Sequence, residues 1–319
     1  MEAHSPDMPK TLFDNGFVLN PDQYYSPLYR ISPFQTSDIS RNLSLADDHS
    51  VLDKLDEHLG SNRWVFTTNG KSAIRIALEA IAPCSNDCVT ILTTSGNRYI
   101  SGCVTREIEN ICSWSRNIES NTVAIFVNHE FGFPYRDLSS LRNYGFPIIE
   151  DACHSFLADT SDRQMGTIGD FVIYSLPKIF PVQMGGILSF KNQFEIDGDV
   201  NPDSQLYRYL SKVLSYYWPT LEDARADRRK NHERLVRIFS KVGCIGRFEV
   251  LENDVPGAFL FRVPSHVDLD IMKKHGWKHG IECSVFYGEQ AFFIPVHQRL
   301  TEYDLEYFFH VFSACMRSS

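Results

Sequence analysis

"MGTIGDFVIYSLPKIFPVQMGGILSF", residues 165–190, carries the pattern on which the fold turns. Gly166 and Gly169 allow tight turns and close backbone approach before Asp170 leads into an apolar, strand-like run. Ser175 closes that run, and Lys178 follows it among apolar residues and prolines. A Gly-Gly pair, Gly185 and Gly186, then opens a second short β-rich run, "GGILSF". Burying an unpaired ammonium is costly unless its pKa shifts or it reacts. Lys178 is therefore either a solvated loop residue or a nucleophile, since a lysine in an apolar setting can expose a free amine for Schiff-base chemistry.

Working outward, "PIIEDACHSF" at 147–156 is an apolar strand that ends in Glu150 and Asp151, with His154 just beyond. A carboxylate at a buried strand end needs a partner. Its partner is either a helix N-terminus or core donor, or the protonated ring nitrogen of a cofactor. Further upstream, "TTNGKSAIRIAL" runs from a strand into a helix, with Gly70, Lys71 and Ser72 at the junction. Backbone N–H groups and a hydroxyl at a positive helix end suit an anion such as phosphate, although a plain capped helix reads the same way. No GxxxxGK[ST] loop is present, and no G-x-G-x-x-G joins an early strand to a helix, which argues against a Walker or a nicotinamide-type Rossmann site.

Strand and helix patterns alternate over residues 60–190: "RWVFTT", "KSAIRIALEAIA", "CVTILTT", "NTVAIFVNH", helical "YRDLSSLRNYG", "FPIIED", "GDFVIYSL" and "GGILSF". That alternation predicts an α/β layer with a mainly parallel central sheet. Ligands bind such sheets at the carboxyl ends of strands, where "TTNGKS", "TTSGNRY", "NHEFG" and "EDACH" fall. The expected organisation is an N-terminal arm over 1–45, a large domain over 46–205, and a linking helix with a small α+β domain over 206–319. Thr301 and Asp304 predict the N-terminus of the last helix. The aromatic run Tyr216, Tyr217, Trp218 suits either an interface or a core cluster.

The chain has 319 residues, 43% hydrophobic and 22% charged, which suffices for two domains. With a net charge of −9 and no Lys/Arg-rich run, nucleic acid and anionic membranes are not expected partners. The start lacks a secretory pattern and no apolar run spans a bilayer, so a cytoplasmic protein is expected. The 8 cysteines are scattered; Cys84 and Cys88 lack a second Cys/His pair, so free thiols and no metal site are expected.

The order of these elements resembles the sugar aminotransferases of the DegT/DnrJ/EryC1/StrS family, which are fold type I enzymes dependent on pyridoxal 5'-phosphate (PLP). "EDACH" at 150–154 is similar to the family's "EDAAQ/H", and "MGTIGDFVIYS" to its "GxxGD…FS" block. Lys178 followed by Gly185 and Gly186, "VNHEFG" with His129 and Gly132, and "IPVHQRLTEYDL" at 294–305 extend the likeness. The resemblance implies a large PLP-binding domain and a small C-terminal one. It implies that Lys178 bonds the cofactor and moves protons, that Asp151 pairs with the pyridine nitrogen, and that His154 sits by the ring's phenolic oxygen. It further implies a phosphate held by Gly70, Lys71, Ser72 and Ser175, and a ring face covered by Tyr99, with Arg98 as a rival. The implied activity moves an amine from an amino acid, glutamate by resemblance, to a nucleotide-linked keto-sugar, in a homodimer. "QMGG" stands where the family carries "GEGG", and no Asn-Tyr-Arg block follows, so the alternative is a catalytically degenerate member acting as a binding or regulatory subunit.

Overall fold

The computed structural model describes residues 27–158 and 165–317. Of the expected arm, residues 1–26 lie outside these, and the remainder contains α1 (Asp38–Ser44). Then come α2 (Ser50–Leu59), β1 (Trp64–Thr67), α3 (Gly70–Ile81), β2 (Cys88–Thr93), α4 (Gly102–Glu109), β3 (Ser113–Ser115), β4 (Thr122–Asn128) and β5 (Ile148–Asp151). β6 (Phe171–Ser175) and β7 (Gly186–Phe190) flank Lys178, and α5 (Gln205–Tyr217) and α6 (Leu221–Phe239) follow. The small lobe adds β8 (Ile245–Gly246), β9 (Phe259–Arg262), α7 (Leu269–Lys278), β10 (Ser284–Phe286), β11 (Ala291–Ile294) and α8 (Glu302–Arg317).

The large sheet has the order β1-β7-β6-β5-β4-β2-β3. β2 pairs in parallel with β3 and β4, β4 with β5, and β5 with β6; β7 runs antiparallel to both β1 and β6. The expected mainly parallel sheet is thus present, with one reversed strand. The Gly-Gly pair makes that strand fit. Gly185 has φ +107, and a Cβ on Gly186 would lie 2.6 Å from the Thr67 hydroxyl and 3.0 Å from the Tyr174 carbonyl. β7 therefore threads between the two neighbouring strand ends, where a larger residue would strike backbone.

Helices cover both faces. Ala73, Ala77 and Leu78 of α3 are buried with Val104 of α4, Ile91, Phe126, Ile149 and Phe171. On the other face Leu55 of α2 and Leu210 and Leu214 of α5 bury Phe66, Ile187 and Phe180. α5 thus belongs to the large sheet's core, while Leu235, Ile238 and Phe239 of α6 join the small lobe's core with Phe259, Phe261 and Phe308. The change of core falls between α5 and α6, later than the expected division at 205. Packing decides it, because the apolar stripe of α5 faces α2. The "LSYYW" run straddles this junction: Tyr216 is exposed, whereas Tyr217 and Trp218 pack on the large core.

Two helical expectations meet different outcomes. "YRDLSSLRNYG" yields only a 3-10 turn over Ser139–Tyr144, closed by Gly145 at φ +74. Its paired serines and Asn143 favour turns over an α-helix. α8 starts as expected, with Asp304 N donating to Thr301 Oγ1 at 3.3 Å and Thr301 N donating back to Asp304 Oδ2 at 2.7 Å.

Candidate active site

A cavity of about 370 Å³ opens at the carboxyl ends of β4, β5 and β6 and the start of α3. It lies within the usual size range of small-molecule sites. Of the cofactor-binding residues expected from the sequence, all but Ser72 line it, so Lys178 and Asp151 address one space.

Asp151 ends β5 and is 6% exposed. Its carboxylate is oriented on both sides: Asn128 Nδ2 donates to Oδ2 at 2.8 Å and Cys153 N donates to Oδ1 at 3.1 Å. The adjoining residues form a second cross-strand link. Tyr135 N donates to His129 Nδ1, which leaves the ring proton on Nε2 to donate to Glu150 Oε2 at 3.0 Å. Glu150 is fully buried and also accepts from the Gly166 and Gly169 N–H groups. The glycines of the "MGTIGD" turn are thus explained, since a Cβ on Gly169 would sit 2.8 Å from Glu150 Oε1.

Lys178 closes a 3-10 turn, Leu176–Lys178, entered through Pro177. Its Nζ has no hydrogen-bond or ion-pair partner among the described residues. The turn's backbone is clasped instead: Arg228 Nη2 donates to the Lys178 carbonyl at 2.7 Å, and Gln298 Nε2 to the Ile179 carbonyl at 3.0 Å. Arg228 is 1% exposed, and burial pulls its pKa down to about 10. Through Arg228 and Gln298 the small lobe fixes the backbone that carries the amine.

His154 follows the β5 end and packs on Phe131, with ring centroids 5.3 Å apart. Burial, then Lys178 and Arg228, hold its pKa well below the ordinary value, so the ring is neutral. Its Nδ1 is buried beside Gly257 and has no partner among the described residues. Tyr99 lines the cavity and stacks near-parallel on Tyr287 at 6.3 Å, while Arg98 lines a different cavity.

The start of α3 differs from expectation at Ser72. Asn69 caps the helix by accepting from Ser72 N at 3.1 Å, and the Ser72 hydroxyl donates to Asp199 Oδ2. Thr68 N and Oγ1 also donate to Asp199, at 2.9 and 2.8 Å. Ser72 is thus turned away from the cavity, and of the residues expected to hold a phosphate Gly70, Lys71 and Ser175 line it. Burial raises the Asp199 pKa, but the bonds from Ser72 and Thr68 outweigh it and the net shift is downward. Nothing near 199 in the sequence advertises this role.

Sequence reading also missed Asn128, which ends the apolar run "AIFVN", and Glu130 beside it. Glu130 is 2% exposed, accepts from Ser95 N at 2.8 Å with one oxygen, and leaves the other buried without a partner; burial raises its pKa.

The residues present fit PLP. A free amine, an oriented carboxylate, a neutral histidine with an unpartnered Nδ1 and a helix N-terminus with a lysine meet in one cavity. Among the described residues no His/Cys/Asp/Glu cluster suits a metal, and no helix is long and apolar enough to cross a membrane.

The buried histidines predict acid sensitivity. Burial pulls His232 to about 4 and His297 to about 3, and His154 down as well. Below pH ~6.5 the unfolded chain binds more protons than the folded one, so stability falls as the pH drops. By pH 5 the expected loss is about 2 kcal/mol for each of His232 and His297. Glu130 works in the opposite direction. Urea midpoints at pH 7 and pH 5 measure the difference, and an unchanged midpoint contradicts neutral burial of these rings.

The fold is that of the fold type I aminotransferases. Residues 110–195 match the profile of the DegT/DnrJ/EryC1/StrS aminotransferase family. No curated protein matches the chain. Among solved structures, the aminotransferase TlmJ from Streptoalloteichus hindustanus aligns at 17% identity and a TM-score of 0.69, over 88% of this chain and 94% of its own. A protein described as a sugar aminotransferase, Spr1654 from Streptococcus pneumoniae in its PMP form, aligns at 12% identity and TM-score 0.68, over 92% and 97%. A DegT DnrJ EryC1 StrS aminotransferase from Brucella abortus aligns at 15% and 0.66, over 88% and 94%.

Proposed function

We propose that this chain is a PLP-dependent aminotransferase that takes an amine from an amino acid, glutamate in the first instance, and delivers it to a nucleotide-linked keto-sugar. The observation that carries this reading is the convergence of Lys178 and Asp151 on one cavity of suitable size.

When bound, PLP supplies an aldehyde that takes up the amine and a ring that draws off the electron pair left when a C–H bond breaks. The chain's own groups do the rest. Asp151, held by Asn128 and the Cys153 N–H, keeps a negative charge directed at the cavity and favours a protonated ring nitrogen there. Lys178 Nζ, free of any acid among the described residues, serves as the base that takes a proton from carbon and the acid that returns it. His154 stays neutral and offers its ring to an oxygen without adding charge. Gly70 and Lys71 attract phosphate through the helix end and an ammonium. Tyr99, packed against Phe286 and Tyr287, forms an apolar wall.

Asp199 favours the second reading, a degenerate binder. Its carboxylate engages the Thr68 and Ser72 hydroxyls at the helix start, which takes Ser72 out of the phosphate grip expected of a catalyst. The test is half-transamination. Mixed with PLP and then glutamate, the purified protein is expected to convert the coenzyme to its amine form, followed by absorbance. Bound PLP that stays unchanged supports the binder, and failure to bind PLP at saturation removes both readings.

A further inference from the structure

The segment that follows β6 is braced from three directions. Arg228 Nη2 of α6 donates to the Lys178 carbonyl at 2.7 Å, Gln298 Nε2 of the small lobe to the Ile179 carbonyl at 3.0 Å, and Asn42 Nδ2 of α1 to the Pro181 carbonyl at 2.9 Å. Pro181 has no N–H with which to close a further turn onto the Lys178 carbonyl, so that carbonyl takes a side-chain donor instead.

One of these braces carries a charge. Arg228 is fully buried, and its bonds go to neutral acceptors: the Lys178 carbonyl and, from Nε at 2.8 Å, Gln298 Oε1. No carboxylate pairs with it among the described residues. Arg299 shows the other arrangement, since Nη1 and Nη2 both donate to the Asp38 carboxylate, at 2.5 and 2.9 Å. Burying a guanidinium against neutral partners costs free energy that an apolar side chain at the same place would not. The charge persists at neutral pH, because burial lowers the Arg228 pKa only to about 10.

This charge acts on the cavity. Facing Arg228 are Lys178 from the turn, His154 from the β5 end and His297 from the small lobe. Burial first, and then neighbouring cations that include Arg228, keep both rings neutral. The cavity itself adds the acids Asp151, Glu130 and Glu282 and the ammonium of Lys71. Burial raises the Tyr99 hydroxyl and the Cys153 thiol, so both stay protonated. Cys103 and the Glu150-bonded His129 complete its titratable lining.

We propose that Arg228 is a positioning residue for Lys178 that also acts through its charge, disfavouring a proton on the nitrogen that joins Lys178 to the coenzyme. This rests on the reading of Lys178 as the coenzyme's lysine. An amino acid arrives as an ammonium and must shed a proton before its nitrogen attacks. A proton-free linkage nitrogen can take that proton up.

The test is absorbance of the PLP-loaded full chain as a function of pH, which follows protonation of the linkage, together with borohydride fixation of PLP to Lys178. Arg228→Gln removes the charge and is expected to move the midpoint upward by about one unit. Gln298→Glu sets a carboxylate against Arg228 Nε and leaves the guanidinium in place. It is expected to shift the midpoint the same way, and it decides the matter if Arg228→Gln fails to fold. Asn42→Ala loosens the same segment without altering charge and is expected to keep the wild-type midpoint. An unmoved midpoint in Gln298→Glu, or an equal shift in Asn42→Ala, overturns the electrostatic role. Wild-type protein that borohydride leaves unlabelled at Lys178 removes the coenzyme reading and this inference with it. A label with unmoved midpoints removes the inference alone.

Discussion

Lys178→Ala is expected to abolish covalent retention of PLP and to lower turnover by about four orders of magnitude. Borohydride reduction followed by denaturing separation measures the first, because reduction fixes any amine-linked coenzyme to the chain. The argument is geometric. Lys178 Nζ has no partner among the described residues, and Arg228 and Gln298 hold its backbone in place. Nothing in the described fold depends on the ammonium itself, so the variant's stability is expected to stay within about 0.5 kcal/mol of wild type. A rival amine exists, since Lys71 lines the same cavity at the start of α3. Label retained by Lys178→Ala and lost in Lys71→Ala would reverse the two roles.

Asp151→Asn is expected to leave PLP attached but slow the glutamate half-reaction about a hundred- to a thousandfold. The change removes a charge and keeps the shape. Asn128 Nδ2 and Cys153 N fix which way the two oxygens point, so an amide here meets donors on both sides. In either orientation the amide nitrogen faces one of these donors and a hydrogen bond is lost, and in both the cavity loses its negative charge. Stopped-flow absorbance of the PLP-loaded protein reads the rate. A wild-type rate in the Asp151→Asn variant would sink the pairing of Asp151 with the ring nitrogen.

Much of this was legible beforehand because local pattern and tertiary placement agree. An apolar run that stops at Glu150–Asp151 can only present those acids at a strand end, and the glycines at 166 and 169 mark the turn that Glu150 organises. The same holds for Lys178, separated from "GGILSF" by the turn that reverses the chain. What escaped were contacts made across long separations. Asp199 reaches Ser72 across 127 positions, and Arg228 reaches the Lys178 carbonyl across 50. Charge-rich α6 hides a buried arginine, because a helix with few apolar residues gives no sign of which cation faces inward. Ser72 was misplaced for a related reason: a hydroxyl at a helix start suits phosphate and a neighbouring carboxylate equally, and only the fold brings Asp199 near.

The reversed strand β7 also governs when the large sheet is complete. β1, which leads into α3, has β7 as its neighbour in the sheet, so Trp64 waits for Ser189 and Thr67 for Gly186. During synthesis, the helix start near Gly70 emerges long before the strand that anchors it to the amine-bearing turn. A nascent chain halted ahead of Gly186 carries the helix start near Gly70 and the turn at Lys178 without the strand that lies between them. Long-range pairings of this kind form slowly. The last strand of the large sheet to be translated is therefore the one that joins the helix start near Gly70 to the turn carrying Lys178.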